Sequence, residues 1–358
     1  MKQVGFIIPS DSGHMVRGIG AYIKNLLPPL KQQAAGLGFE ILEIKQPFQT
    51  GPEQSRRISN FKLKIIHYPY FDLFYPTLPL RKPAPTVVTI HDVTPLEFPD
   101  HFPPGIRGRF NLLRQKLSLI NTERIIADSF ASVNPIRKYL GVPHSKIKFI
   151  HLAPMSEFKP VKVKKILSGL RKKYRLPEKF VPNVGDVNWN KNLPALAAVC
   201  REINTPLVLV GKKVAELENL DTTHPELAHL EELKPLLENI IRTGFVPDEE
   251  LAGIFSMASV YCQPSFAEGF GLSVINAMHC GCPVVCSRTH SLSEVAGDAA
   301  AYFDPYSVPE LVSKLKEVIS DSGLRKNLIT AGLKQSARFT WKKTARQTLQ
   351  VYSEICAA

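Results

Sequence analysis

The sequence predicts an α/β protein made of two doubly wound, parallel-sheet domains facing each other across a cleft. Three observations predict it. Short continuous apolar runs alternate with amphipathic stretches from end to end, the pattern of strands buried on both faces between covering helices. The alternation breaks once, over residues 155–179, which are rich in lysine and poor in long apolar runs, and then restarts. The length of 358 residues exceeds a typical single domain, so two are the natural division.

In the first half the candidate strands are 4–9, 41–44, 63–68, 86–91, 124–129 and 147–152. Between the first two, Ile19, Ile23, Leu26 and Leu27 fall on one helical face. The N-terminal apolar stretch is short and ends in turn residues, so it reads as a strand and not as a secretory leader. The break reads as a surface linker carrying one basic helix. In the second half the strands are 180–185, 207–211, 239–244, 259–265, 282–287 and 300–303, with helices over 248–257 and 308–320. Residues 341–356 are amphipathic and are expected to cross back onto the first domain. The expected boundaries are 1–157, 158–338 and 339–358. Ligands of doubly wound domains bind at the carboxyl ends of the strands, so the loops that follow strands are where the site is expected.

Composition excludes several classes. No apolar run reaches the roughly 18 residues of a membrane span. Cys200, Cys262, Cys280, Cys282, Cys286 and Cys356 form no CxxC pair, so a zinc knuckle is not indicated and packed thiols in a reducing cytoplasm are expected. Lysine plus arginine number 45 against 32 acidic residues, a net charge of +13, which suits an anionic partner such as a nucleotide, a pyrophosphate or a lipid headgroup. Nucleic acid is not indicated, because neither zinc-finger spacing nor an aromatic RNA-binding stripe accompanies the charge. The basic segment 106–117 mixes Arg107, Arg109, Arg114 and Lys116 with Phe110, Leu112, Leu113 and Leu117. It reads either as a helix touching anionic lipid or as an ordinary sheet-covering helix with a solvated basic face.

The richest segment is 264–285. It follows a strand, places Gly269 and Gly271 on either side of Phe270, and opens an apolar helix near Leu272. Such a turn lets a ligand approach the backbone, and the N–H groups of a helix start attract phosphate. Glu268, just before the turn, can accept hydrogen bonds from sugar hydroxyls. A strand–turn–helix with a capping carboxylate accounts for the same residues equally well.

This segment resembles the donor-binding signature of glycosyltransferase family 4, whose members have the GT-B fold. The resemblance continues through residues 291–305 downstream. Upstream, 241–251 is similar to the stretch bordering the nucleobase, which points to Phe245 and Val246. Residues 184–193 are similar to the phosphate-lysine loop, which points to Asn190 and Lys191. In the first half, 17–22 resembles the glycine loop, with Gly18 and Gly20, and 90–95 resembles the histidine loop, with His91. Ala127-Asp128-Ser129 and Leu140-Gly141-Val142 are further family-like positions. The similarity runs from the glycine loop to Trp341.

The resemblance implies a retaining transfer of a hexose from a nucleoside-diphosphate sugar, with UDP-glucose the expected donor. The expected acceptor is a saccharide or a lipid-linked saccharide in polysaccharide biosynthesis. No cofactor and no metal are implied, and the carboxylate pair of metal-dependent transferases is absent from the sequence. The implied catalytic residues are His91, Lys191 and Glu268. Donor binding falls to Gly18, Gly20, Asn190, Lys191, Phe245, Val246, Glu268, Phe270, Gly271, Leu272, Ser273 and Asn276. Two positions depart from the family pattern. Asp186 stands where a basic residue is common, with Lys212 expected to assist. Asn276 stands where a second glutamate grips the ribose, and its amide is expected to reach the same hydroxyls. These departures leave open a non-catalytic sugar-nucleotide-binding subunit; a GT-B phosphorylase or epimerase is the other alternative. His279 reads as a core histidine. His67 and Tyr68 either line the acceptor side or pack. The expected location is cytoplasmic, with peripheral contact at the inner face of the membrane.

Overall fold

A computed structural model describes residues 1–10, 18–46 and 61–357. Arg17, the first residue of the glycine stretch, lies outside the described residues. The chain divides into two compact units: unit 1 is Met1–Pro99, Pro104–Ala153 and Phe339–Ala358, and unit 2 is Asp100–Pro103 with Pro154–Arg338.

Unit 1 is built on a six-stranded parallel sheet of order β2-β1-β3-β4-β5-β6. Its strands are β1 (Lys2–Pro9), β2 (Phe39–Gln46), β3 (Ile65–Tyr68), β4 (Thr86–Ile90), β5 (Arg124–Ala127) and β6 (Ile147–Phe149). Burial follows position in the sheet. Strands β3 and β4, in the middle, are buried at every residue, whereas the edge strand β2 loses continuous burial along its length. Helices α1 (Gly18–Ala34), α2 (Thr94–Glu97), α3 (Gly105–Ile120) and α4 (Val133–Leu140) occupy the connections. The chain reverses direction across the sheet between β1 and β3, where ligand crevices of doubly wound folds lie. Gly18 and Gly20 sit in the first turn of α1, which follows β1.

Unit 2 contains α5 (Lys164–Lys173), β7 (Val181–Val184), α6 (Leu193–Glu202), β8 (Leu207–Val210), α7 (Leu230–Leu233), β9 (Ile240–Arg242), α8 (Asp248–Met257), β10 (Tyr261–Gln263), α9 (Leu272–His279), β11 (Val284–Ser287), α10 (His290–Ala296), β12 (Ala301–Phe303), α11 (Val308–Ser320) and α12 (Ser322–Ser336). The last two helices begin at side-chain caps. Ser307 accepts from the Glu310 amide, and Asp321 accepts from those of Gly323 and Leu324. The strands form two parallel ladders, β7-β8-β9 and β10-β11-β12, and Pro182 explains why these do not merge into one. The amides of Val181 and Gly185 point to the β8 side, donating to Pro206 and Val210. Position 182 therefore faces the other way, and a proline there has no N–H to give. The seam is closed instead by Ser259 N donating to Phe180 O at 3.0 Å. Beside it, Asn183 Nδ2 donates to Cys262 O at 2.9 Å.

The last helix, α13 (Trp341–Ala357), belongs to unit 1. Thr344 Oγ1 donates to His151 O at 2.7 Å, and Gln33 Nε2 of α1 donates to Lys342 O at 3.1 Å. His67, fully buried in β3, bonds Tyr352 Oη through Nδ1 at 2.6 Å and Thr89 Oγ1 through Nε2 at 2.9 Å. His67 and Tyr68 are thus packing residues, not part of an exposed acceptor surface.

Candidate active site

In unit 2 the candidate residues gather in loops at the carboxyl ends of β7 and β10. The loop after β7 is tied to the loop after β10 by three contacts. Phe266 N donates to Asn190 O at 2.8 Å, Asn190 Nδ2 donates to Ala267 O at 3.0 Å, and Trp189 stacks on Phe266 with ring centroids 4.5 Å apart. His101 stacks on the other side of Trp189 at 3.6 Å, and Tyr306 lies against Phe266 at 5.0 Å, so four rings form one column. From beyond β11, Thr289 Oγ1 donates to Phe266 O and Ser291 Oγ to Glu268 O.

On this frame Lys191 Nζ lies 2.7 Å from Glu268 Oε1. The same carboxylate oxygen accepts from Gln263 Nε2 at 2.8 Å and from Ser265 Oγ at 2.7 Å. Gln263 is itself held by the Tyr261 hydroxyl, which donates to its Oε1. Three donors converge on one oxygen and hold the carboxylate in place beside its own strand end. Gln263 and Ser265 were not singled out as site residues from the sequence, although their spacing of five and three residues before Glu268 could have suggested them.

Gly271 follows, with φ of 93°, and a Cβ there would lie 2.6 Å from Leu292 Cδ2. Helix α9 then begins. Its first internal bond is Val274 N to Gly271 O, so the amides of Leu272 and Ser273 stand at the positive end of the helix without an intrahelical acceptor. Phe270 and Val246 are buried side chains, leaving only their backbone to a ligand, whereas Phe245 is 60% exposed. Asp186, unfavourable beside a phosphate, is offset by Lys213 at 3.4 Å, not by Lys212, and accepts from the Val187 amide.

Asn276 requires a correction. Its side chain is only 3% exposed, and Oδ1 accepts from the Met155 amide at 3.0 Å. The oxygen expected to reach outward is already occupied. His279 bonds Ser336 Oγ through Nδ1 at 3.1 Å, joining α9 to α12.

In unit 1, His91 follows β4 and Asp128 follows β5. Because Ile90 pairs with Ala127 in the ladder, the next residues lie side by side. His91 Nδ1 donates to Asp128 Oδ2 at 2.7 Å, and Nε2 donates to Pro69 O at 3.1 Å. The Tyr22 ring packs edge-on against the imidazole at 5.0 Å. Burial opposes a charge on His91, but the Asp128 carboxylate and the Pro69 carbonyl outweigh it, and its pKa moves upward. Asp128 was noted from the sequence only as a family-like position; here it is the partner that orients His91.

The chain is similar to known proteins in sequence and fold. The glycosyl transferases group 1 family matches residues 170–335, and Glycosyltransferase Family 4 matches residues 35–153. The chain is 30% identical over 308 residues to O-antigen chain mannosyltransferase B of Escherichia coli, covering 84% of this chain and 76% of the relative. It is 26% identical over 288 residues to the serotype-specific mannosyltransferase WbdA of Escherichia coli, covering 76% of this chain but only 34% of that longer protein. Sucrose-phosphate synthase of Thermosynechococcus elongatus has the same fold, with a TM-score of 0.75 at 19% identity over the whole of both chains. Anabaena HepE in complex with UDP and glucose gives a TM-score of 0.74 at 17% identity, covering 99% of this chain and 100% of that one.

Fold and sequence together define a glycosyltransferase of the GT-B class. The chain belongs to glycosyltransferase family 4.

Proposed function

We propose that the chain is a retaining hexosyltransferase that moves mannose from a nucleoside-diphosphate sugar to a saccharide or lipid-linked saccharide acceptor in polysaccharide biosynthesis. The observation that carries the reading is the Lys191–Glu268 pair at the mouth of two strand-end loops, next to the start of α9. A cation and helix-start amides suit a diphosphate, and an oriented carboxylate suits sugar hydroxyls. Mannose is preferred to the UDP-glucose expected from the sequence because two relatives that match over most of this chain are mannosyltransferases.

In this reading the bond from the anomeric carbon to the diphosphate breaks through a loose, oxocarbenium-like transition state. Charge accumulates on the leaving diphosphate, so Lys191 and the amides of Leu272 and Ser273 stabilise that state more than the ground state. Glu268, released from Lys191 when the cation turns to phosphate, holds the sugar hydroxyls. Asn190 keeps the two loops together, and Gly18 and Gly20 supply backbone from the start of α1. His91, oriented by Asp128, serves the donor sugar by exchanging its Nε2 bond to Pro69. The acceptor hydroxyl oxygen bonds to the anomeric carbon on the face the diphosphate leaves, and the leaving diphosphate oxygen takes its proton, so no separate general base is required. The charge neutralisation is assigned to side chains and amides and not to a metal ion.

The test is a turnover and thermal-shift screen with GDP-mannose, UDP-glucose and other nucleotide sugars. A mannosyl donor should give both stabilisation and turnover. Turnover with UDP-glucose alone would reverse the choice of sugar. Binding without turnover for every donor, in the presence of saccharide and lipid-linked acceptors, would favour a non-catalytic subunit.

A further inference from the structure

Helix α3 is amphipathic in the opposite sense from a sheet-covering helix. Its buried side carries Gly108, Gln115 and Ser118 with Leu119. Its outer side carries Ile106, Phe110, Leu113, Leu117 and Ile120, exposed by 89, 69, 57, 50 and 64%. The spacing alternates between four and three residues, so these five side chains form one stripe along the helix.

Hydrogen bonds fix this orientation. Gln115 Nε2 donates to Asp72 O at 2.8 Å and to Thr77 Oγ1 at 2.9 Å, while its Oε1 accepts from the Leu78 amide at 3.3 Å. Asn111 Nδ2 donates to Phe74 O at 2.9 Å, and Lys82 donates to Ser118 O. Rolling the helix to bury its apolar stripe would break these bonds and leave buried polar groups without partners, which is unfavourable. The apolar face is therefore held outward.

Cations flank the stripe on both sides. At helical spacing, Arg107 and Arg114 lie along one margin and Arg109 and Lys116 along the other, and α3 contains no acidic residue. None of the four has a carboxylate partner among the described residues. The loop that anchors the helix adds Tyr75 and Leu80, exposed by 53 and 46%.

We propose that α3 is an in-plane membrane anchor that inserts its apolar stripe among the acyl chains of an anionic bilayer while its flanking cations meet the phosphates. The charge pattern selects this occupant. Symmetric pairing with a second copy of α3 would bring four cations against four cations, whereas an anionic lipid surface neutralises both margins. Among the described residues no helix is long and apolar enough to cross a membrane, so contact through α3 would be interfacial. The inference does not depend on which sugar is transferred.

The experiment is flotation of the full chain with phosphatidylcholine vesicles, with and without phosphatidylglycerol. The unsubstituted chain should partition at least about tenfold more to the anionic vesicles, and salt should weaken that preference. A triple variant Phe110→Ser, Leu113→Ser, Leu117→Ser should lose about tenfold or more of the binding. The pair Arg109→Glu, Arg114→Glu should lose a similar factor on anionic vesicles only. Melting temperature and nucleotide binding should be unchanged in both. Failure of the unsubstituted chain to float, or undiminished flotation of the serine variant, overturns the proposal. A dimer in gel filtration that the serine substitutions dissolve, with no vesicle binding, would assign the stripe to a second copy instead.

Discussion

Lys191 and Glu268 stand 77 residues apart in sequence, and their side chains meet at 2.7 Å with only 19 and 13% of each exposed. The loops bearing them are held together by Asn190, Trp189 and Phe266, so the ion pair is not what keeps the loops in place. Opening it for a ligand therefore need not disturb the fold.

Lys191→Ala and Glu268→Ala should each lower turnover by on the order of a hundredfold or more. Each leaves one partly buried charge without its partner, so a loss of about 1–3 kcal/mol is expected. Steady-state kinetics beside urea melts separates the two effects. Near-normal transfer in both variants would show that the site has been placed wrongly.

Asn276 offers a test of divided roles. Oδ1 is committed to Met155 N, which leaves Nδ2 for a ribose hydroxyl. Asn276→Ala should cost about 1–3 kcal/mol of stability, because a buried amide loses its acceptor. Asn276→Asp keeps an acceptor for Met155 but removes the Nδ2 donor, so it should weaken nucleoside-diphosphate binding several-fold. Calorimetry that finds equal affinity in all three proteins would make Asn276 a packing residue and nothing more.

Acid should destabilise unit 1 through His67. Burial, and then the neighbouring His91, lower its pKa to about 3, against roughly 6.5 in an unfolded chain. The unfolded state thus takes up a proton that the folded state refuses. The stabilisation is fully present above about pH 6.5 and declines as pH falls toward 3, by up to about 1.4 kcal/mol per pH unit. His91 acts in the reverse sense: its raised pKa contributes stability below about 6.5 that is lost as pH rises through the folded value. His67→Gln should flatten the acid limb of a stability–pH curve while lowering the plateau at neutral pH, where the Tyr352 and Thr89 bonds are disturbed. An acid limb of unchanged slope would exclude His67 as its source.

Transfer should persist after exhaustive chelation. The proposed stabilisation of the leaving diphosphate rests on Lys191 and on the helix-start amides, neither of which EDTA removes. Activity that vanishes with EDTA and returns with Mn²⁺ would overturn the side-chain mechanism.

How much of this was legible in the sequence depends on the range of the interaction involved. The twelve strands among the described residues were visible as short apolar runs, most plainly where a strand is buried on both faces and so apolar at consecutive positions, as in Ile65–Tyr68 and Leu207–Val210. Glu268 and Lys191 were found through their strand-end motifs, but their pairing joins distant loops. The oxygen of Asn276 facing Met155 and the His101–Trp189 stack are also contacts between distant segments, with no local pattern to announce them. Helix α3 shows the limit of periodicity: spacing identifies two faces, but the direction of the apolar one depends on Gln115 and Asn111 finding backbone partners in the 72–82 loop. The seam at Pro182 was the reverse case. A proline inside an apolar run was there to be read, and its consequence followed from which side its missing amide would have faced.

Two backbones approach closely at the base of the Lys191 loop. Gly211 follows β8, and a Cβ at that position would sit 2.2 Å from the carbonyl oxygen of Gly185 and 3.3 Å from its carbon. No flexible side chain can swing aside, because both atoms are main chain. Both glycines are also pinned by ladder-like bonds, Gly185 N to Val210 O and Gly211 N to Gly244 O, each 3.0 Å. Gly211→Ala must therefore displace the loop of residues 185–192 that carries Asn190 and Lys191. Overpacking of this kind costs about 1–3 kcal/mol. It should also weaken nucleotide binding, because a displacement near 1 Å is enough to misplace a charge-stabilising group. Gly36→Ala, with no atom near its added methyl, is the control and should change neither quantity. Melting curves and calorimetry on the two variants decide the matter: Gly211→Ala with unaltered stability and affinity would mean that the loop yields freely and does not hold Lys191 in position.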